Sequence, residues 1–508
     1  MHVGMDRLIG SVTIPRHPTD DNPLAREFLN TLRVVSTAMA SRYLSGRGER
    51  TERGNEAVPS LTRSSLNRSL ALVHSMPHKR VVIIGGGFGG LAAAQSLRDT
   101  DVVLIDRTNH HLFQPLLYQV AIAALSPSDI AWPLRTIFRR YPHVRVVMDE
   151  VLSIDRPARL VRLRDSAPIA FDVLIVAPGS RHSYFGHDAW EQSAPGIKTL
   201  ADAVRLREKM LLAFEEAERR QIATGTQNRL TFVIVGGGPT GVELAGALAE
   251  IGRKAMGPDF PTLRLDDLAI LLVEGGSRIL PGFTADLSAK AAVALQRMGV
   301  TVKLNSLVSE IRADGVTIGS EFVRSTNIIW AAGNKASPLL ASLAVPRDGS
   351  DRVNVQPDLT IPGDPWIFVI GDAAHCAGPD GSPLQGLAPV AMQQGRYVSA
   401  LIRKETPPEQ RPPFLYTDRG TLATIGRAQA VAQIGLVHLS GLLAWLLWCV
   451  VHIFFLIGVR NRLRVISEWM WYYLTFKPGA RVIYQLPQPP LDEKSTSPSR
   501  STGFSSKN

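Results

Sequence analysis

Two glycine-rich turns of one pattern, each joining a β-branched run to an apolar helical run, constrain this chain more than any other feature. Gly85, Gly87 and Gly90 follow Arg80-Val81-Val82-Ile83-Ile84, and Gly236, Gly238 and Gly241 follow Thr231-Phe232-Val233-Ile234-Val235. Leu91-Ala92-Ala93-Ala94 comes after the first set and Val242-Glu243-Leu244-Ala245 after the second. In a GxGxxG turn the first glycine allows the sharp bend, the second lets a pyrophosphate reach the backbone, and the third lets helix and strand pack closely. The phosphates then meet free N–H groups at a helix N-terminus. Two such turns predict two dinucleotides held by two α/β folds.

Acids at the ends of the next strands support this. Val102-Val103-Leu104-Ile105 reads as a buried strand ending in Asp106, at the distance where a carboxylate meets ribose hydroxyls in FAD or NAD. Ala269-Ile270-Leu271-Leu272-Val273 ends at Glu274, after a longer insertion that falls in a basic loop. A carboxylate there accepts bonds from the 2′-hydroxyl of NADH and repels the 2′-phosphate of NADPH. The bland alternative for both is an acid that merely ends a strand.

With 508 residues the chain has room for two or more domains. Its 56 Lys and Arg against 45 Asp and Glu give +11, which suits an anionic membrane surface or nucleic acid. Nothing matches a nucleic-acid module, so no nucleic acid is expected and the membrane is favoured. The two cysteines, Cys376 and Cys449, have no neighbouring partner, which excludes a disulfide framework and a dithiol flavin reductase. No His, Cys and acid cluster has zinc-like spacing, so no metal is expected. His110 and His111 read as packing or hydrogen-bonding residues.

The expected organisation is an unfolded extension over 1–78, rich in Arg, Ser, Thr and Asn; a first part of an FAD fold over 79–199; an NADH fold over 200–329; a second part of the FAD fold over 330–434; membrane-associated helices over 435–484; and an unfolded tail over 485–508. Met76 is an alternative start, because Met76-Pro77-His78 leads into the first strand. Ala177-Pro178-Gly179 and Ala331-Ala332-Gly333 close matching strand runs and read as turns returning the chain between folds. Gly371-Asp372 follows the buried run Trp366-Ile367-Phe368-Val369-Ile370, where a flavin's ribityl-phosphate region would bind.

From Gly435 to Val459 no charged residue occurs, and Leu442 to Val451 is nearly all apolar. Length alone would permit a span. Yet Gly435, His438, Ser440, Gly441 and His452 dilute it, and Arg460, Arg462 and Arg464 then alternate with apolar residues before Trp469, Trp471, Tyr472 and Tyr473. Apolar faces edged with aromatics and arginines describe helices lying in the headgroup interface. A buried helix pair and a true span are the alternatives.

These residues resemble the type II NADH:quinone oxidoreductases, single-subunit flavoproteins also called alternative NADH dehydrogenases. The resemblance runs from about Lys79 to Tyr484. It is most specific in His111-Leu112-Phe113-Gln114-Pro115-Leu116-Leu117-Tyr118-Gln119-Val120-Ala121, Gly236-Gly237-Gly238-Pro239-Thr240-Gly241-Val242-Glu243 and the aromatic-basic C-terminal segment. It implies an α/β fold with two Rossmann-like domains and a C-terminal amphipathic helical anchor. FAD is held non-covalently through Gly85, Gly87, Gly90, Asp106, Gly371 and Asp372. NADH is held through Gly236, Gly238, Gly241, Glu243, Glu274, Ala332 and Gly333. The flavin passes electrons to a quinone without proton pumping, at the cytoplasmic face of the inner membrane, with a monotopic attachment; a homodimer is left open.

By the same resemblance Gln393 and Gln394 would contact the quinone, although Pro389 stands where a Gln often does. Glu191 would be the acid in proton or nicotinamide handling, or simply a solvated helix charge. Ala177-Pro178-Gly179 departs from the usual Ala-Thr-Gly. Competing readings are a sulfide:quinone reductase, which needs redox cysteines beside the flavin, a ferredoxin-type reductase, and a nucleotide-binding redox sensor without turnover.

Overall fold

The computed structural model describes residues 79–483, apart from 99, 226–228, 264–267, 380 and 476–478. The chain divides into two units, Met1–Met76 and Pro77–Asn508, and the described residues all fall in the second. The expectations for 1–78, for a start at Met76 and for the tail from 485 lie outside them.

The chain enters through β1 (Arg80–Ile84), turns into α1 (Phe88–Ser96) and returns as β2 (Asp101–Asp106). A short helix α2 (Leu117–Ala121), then β3 (Val144–Met148) and β4 (Val173–Val176) complete the first visit to this sheet. β5 (Ser180–His182) carries the chain out, and the long helix α3 (Leu200–Thr224) leads to the second fold. There β6 (Thr231–Val235), α4 (Pro239–Glu250), β7 (Ala269–Val273), α5 (Ala285–Arg297), β8 (Val300–Lys303) and β9 (Asn327–Trp330) follow. β10 (Asn334–Ala336) returns the chain to the first sheet, which gains β11 (Thr360–Ile361) and β12 (Asp364–Val369), followed by α6 (Ala388–Arg403).

The first sheet runs β11-β12-β4-β1-β2-β3 and the second β8-β7-β6-β9. Apart from the antiparallel edge β11–β12, all pairs are parallel. Crossover helices demand this arrangement, and strands covered on both faces need the continuous Val/Ile/Leu runs seen here. Val81 to Ile83 and Val233 to Ile234 are fully buried. The expected returns between folds are real. β5 and β10 start just after Gly179 and Gly333, and pair antiparallel with Arg181 opposite Lys335.

Beyond α6 a meander of β13 (Thr421–Gly426), β14 (Gln429–Ile434) and β15 (Val437–Gly441) precedes α7 (Leu442–Phe455) and α8 (Val459–Thr475). Helix therefore begins at Leu442 rather than Gly435. Gly435 takes φ +55° and turns the chain so that Val437 pairs with Ile434. Ala444, Trp448, Ile453, Val465 and Trp469 face inward, whereas Leu443, Phe454, Val459, Leu463 and Trp471 are exposed. No described helix is long and apolar enough to cross a membrane.

Candidate active site and nucleotide cleft

The two glycine turns are built alike. Gly85 and Gly236 have φ of +100° and +112°, and their N–H groups donate to Ile105 O and Val273 O, both at 2.8 Å. A Cβ on Gly90 or Gly241 would sit 1.9 Å from the carbonyl oxygen of Gly85 or Gly236, so neither tolerates a side chain. By contrast, a Cβ on Gly87 or Gly238, each the residue before its helix, would meet nothing within 4 Å. That open space in front of a helix N-terminus is what a pyrophosphate fills.

The predicted acids sit against these turns. Asp106 accepts the Gly86 N–H at 2.6 Å and the Thr108 N–H and hydroxyl at 2.7 Å. Glu274 accepts the Gly237 N–H at 2.6 Å and the Gly276 N–H at 2.7 Å. A carboxylate has about four acceptor sites, so each retains capacity for a ribose hydroxyl. Buried His111 donates from Nδ1 to Gly86 O at 2.9 Å, and burial lowers its pKa. The histidine therefore shapes the first turn, as a hydrogen-bonding residue.

Beside the first turn the other residues expected at the flavin, Gly371 and Asp372, are each tied to a neighbour. Gly371 has φ +68°, and its N–H donates to Gln394 Oε1 at 2.7 Å. Ser180 donates to Asp372 at 2.6 Å and accepts from Lys198 Nζ at 2.9 Å. Burial lowers the Lys198 pKa, and Asp372 partly restores it. His182 Nε2 is buried without a partner, and burial followed by Lys198 brings its pKa down to about 4. A polar wall with an unpaired nitrogen, an open Gly87 and the Asp106 carboxylate fits a flavin dinucleotide.

A cleft of about 690 Å³ runs from this wall to the second turn, lined by Tyr118, His182 and Lys198 on one side and Gly238, Glu243 and Glu274 on the other. Ala332 and Gly333 line it too. A second cavity, about 30 Å³, lies between α4 and the C-terminal segment, with Glu250, Arg427, Trp469, Tyr472 and Tyr473 around it. Tyr118 and Glu243 line both. Burial raises the Glu243 pKa to about 8, opposed by the Thr424 N–H and the Trp448 indole. Glu250 is raised as well, again chiefly by burial, while accepting the Arg427 N–H at 2.6 Å. Glu250 was not singled out from sequence. Its signal was a second acid on the Glu243 face of an otherwise apolar helix, seven residues on.

Three sequence-derived residues stand elsewhere. Gln394 is buried and spends its amide oxygen on Gly371, and Gln393 pairs both amide atoms with Thr417 backbone at 2.9 and 3.0 Å. Both glutamines thus pin backbone, and neither lines the two cavities. Glu191 is exposed on a short 3₁₀ turn, Asp188–Gln192, outside both cavities. Among the described residues no group of His, Cys and acids could hold a metal.

Comparisons agree with this geometry. The pyridine nucleotide-disulphide oxidoreductase family model matches residues 79–395 and the NDH2 C-terminal domain matches 419–476. The type II NADH:quinone oxidoreductase NdhA of Mycobacterium tuberculosis is 42% identical over 77% of this chain and 86% of that protein. Ndh of the same organism is 40% identical over 80% and 90%. The NDH2 structure from Plasmodium falciparum in complex with NADH superposes with a TM-score of 0.73 at 20% identity, covering 79% of this chain and 99% of that one. The sulfide:quinone oxidoreductase of Aquifex aeolicus reaches 0.61 at 18%, over 78% and 95%; at such identities the likeness shows the fold alone. With family models matching 79–395 and 419–476 and two relatives at 40–42% identity over most of both chains, the chain belongs to the type II NADH:quinone oxidoreductase family.

Proposed function

We propose that NADH lies in the large cleft with its ribose at Glu274, its pyrophosphate at Gly238 and its nicotinamide toward Tyr118, and that the quinone is reduced on the far side of Tyr118 and Glu243. FAD, held by the first turn, supplies the two-electron carrier between the substrates. The observation that carries this reading is the pair of residues common to both cavities. The chain's own contribution is to separate the substrates and to hold a proton between them. With its pKa near 8, Glu243 is protonated at neutral pH and can give its proton toward the quinone side, where the product needs one.

The small cavity has room for a water rather than a ring, so a quinone is admitted only as the aromatic wall of Tyr472 and Tyr473 yields. That wall belongs to the segment whose outer face exposes Leu443, Phe454, Leu463 and Trp471, which supports a monotopic attachment to a membrane surface; Arg460, Arg462 and Arg464 in the same segment suit anionic lipid, and the cytoplasmic face rests on the family resemblance alone. Sulfide chemistry is disfavoured by Cys376 and Cys449, which are buried and free. The experiment is anaerobic: NADH should bleach the flavin absorbance and a quinone should restore it. Bleaching without recovery would defeat the quinone reading and favour a nucleotide-binding sensor.

A further inference from the structure

The turn over Tyr184 to His187 carries the wrong residue for its shape. It closes with the His187 N–H donating to Tyr184 O at 3.0 Å, and both central residues have positive φ, +52° at Phe185 and +94° at Gly186. This is the type I′ pattern, which favours Asn or Asp before Gly. A bulky aromatic with positive φ is an outlier, and such outliers persist where the surroundings impose them.

The side chain gains little within the protein to offset that. Phe185 is 68% exposed, with its ring over Gly333 and against the edge of Trp330, at 6.2 Å between centroids. Yet the turn is firmly held. Ser183 donates its N–H to Gly333 O at 3.3 Å, accepts the Trp330 indole N–H at 2.9 Å, and takes the Phe185 N–H on its hydroxyl at 3.3 Å. The ring lies so close to Gly333 that a Cβ there would be 2.6 Å from its Cζ.

The topology says what the ring faces. In the order β8-β7-β6-β9, Glu274 ends β7, the glycine turn ends β6 and Ala331-Ala332-Gly333 ends β9. A dinucleotide with its adenosine ribose at Glu274 and its pyrophosphate at Gly238 therefore carries its nicotinamide half over the β9 turn. Phe185 lines that cleft.

We propose that Phe185 is a substrate-binding residue whose ring stacks on the nicotinamide half of NADH where it crosses the β9 turn, a contact kept at the expense of the turn's own preference. The proposal rests on the NADH placement above, and a first measurement separates the two: the unaltered holoenzyme must bind NAD⁺ and show Glu274-dependent donor choice.

The decisive variants are Phe185→Asn, which suits the turn but cannot stack, and Phe185→Trp, which keeps a ring. Equilibrium binding of NAD⁺ to the oxidised holoenzyme is followed by tryptophan emission, with thermal unfolding measured alongside. For Phe185→Asn the melting temperature should hold or rise, while the NAD⁺ dissociation constant and the KM for NADH increase about 3–10-fold and the KM for quinone stays put. Phe185→Trp should bind within about twofold of the parent. A Phe185→Asn protein that is as stable as the parent and binds NAD⁺ equally well would overturn the proposal, as would one that unfolds or loses flavin, because the turn would then need the ring for itself.

Discussion

The two glycine-turn folds share a phosphate cradle almost atom for atom and differ in what encloses it. Around the first, the turn is braced from behind: buried His111 fixes Gly86 O, and α1 lies against α6, with Ser399 donating to Ala93 O at 3.0 Å. Beside the second lies the large cleft, where Phe185 and Leu307 stand 68% and 73% exposed. The helices differ too. α1 is apolar throughout its buried face, whereas α4 carries Glu243 and Glu250 into the protein. One fold thus suits a resident cofactor and the other a substrate that comes and goes, although the binding motif is the same.

Substitution at the open glycines should break the comparison most sharply. Gly87→Leu meets no protein atom at its Cβ, so its harm falls on the ligand: purified protein should lack flavin colour. Gly238→Leu should keep full flavin and raise the KM for NADH about 10–100-fold, an overpacking-sized loss. Flavin loss from both variants would mean the folds are not independent.

Next in size is Glu243→Gln, which should slow flavin reoxidation by quinone about 100-fold at neutral pH while leaving flavin reduction by NADH largely intact, as expected for loss of a proton donor. The sign of the pH dependence follows from the raised pKa. Glu243 holds its proton below about 8 and loses it as pH rises through that value, so quinone reduction should fall through pH 8 and Glu243→Gln should lack that inflection. Stability moves with it: the folded chain keeps a proton that the unfolded carboxylate releases near 4.5, so a destabilising contribution grows from about pH 4.5 to 8 and is absent in the variant. An inflection unchanged in Glu243→Gln would assign it to another group.

Glu274→Gln should narrow the preference for NADH over NADPH by about 10–100-fold, the worth of one like-charge contact, measured as the ratio of the two kcat/KM values. Smallest is Arg464→Ala. Arg464 reaches buried Asp129 at 3.4 Å, and removing it should lower stability by about 1–2 kcal/mol without changing KM for NADH, since this contact ties α8 to the flavin fold alone.

Much of this was legible in the sequence because it is written in short-range signals. Glycine spacing, strand composition and the acids at strand ends locate both glycine turns and the carboxylates of Asp106 and Glu274 that bond to them. What escaped was set by distant contacts. Gln393 and Gln394 look like free amides until Thr417 and Gly371 are brought to them. From sequence Glu191 is the acid of proton or nicotinamide handling and Glu243 a contact to NADH, and only tertiary burial sets Glu243 between the cavities and Glu191 at the surface. The strand at Val437–Gly441 escaped because its short Val-His-Leu-Ser alternation runs directly into the uncharged apolar helix that follows it.

In the proposed arrangement the wall that Tyr118 and Glu243 form between the two cavities is a bulkhead: charge would cross it through the flavin, and neither substrate would have to leave for the other to arrive. Compounds lodged beneath Tyr472 and Tyr473 should accordingly compete with quinone yet leave NADH free to bind, so that such an inhibitor traps the protein with its flavin reduced rather than empty.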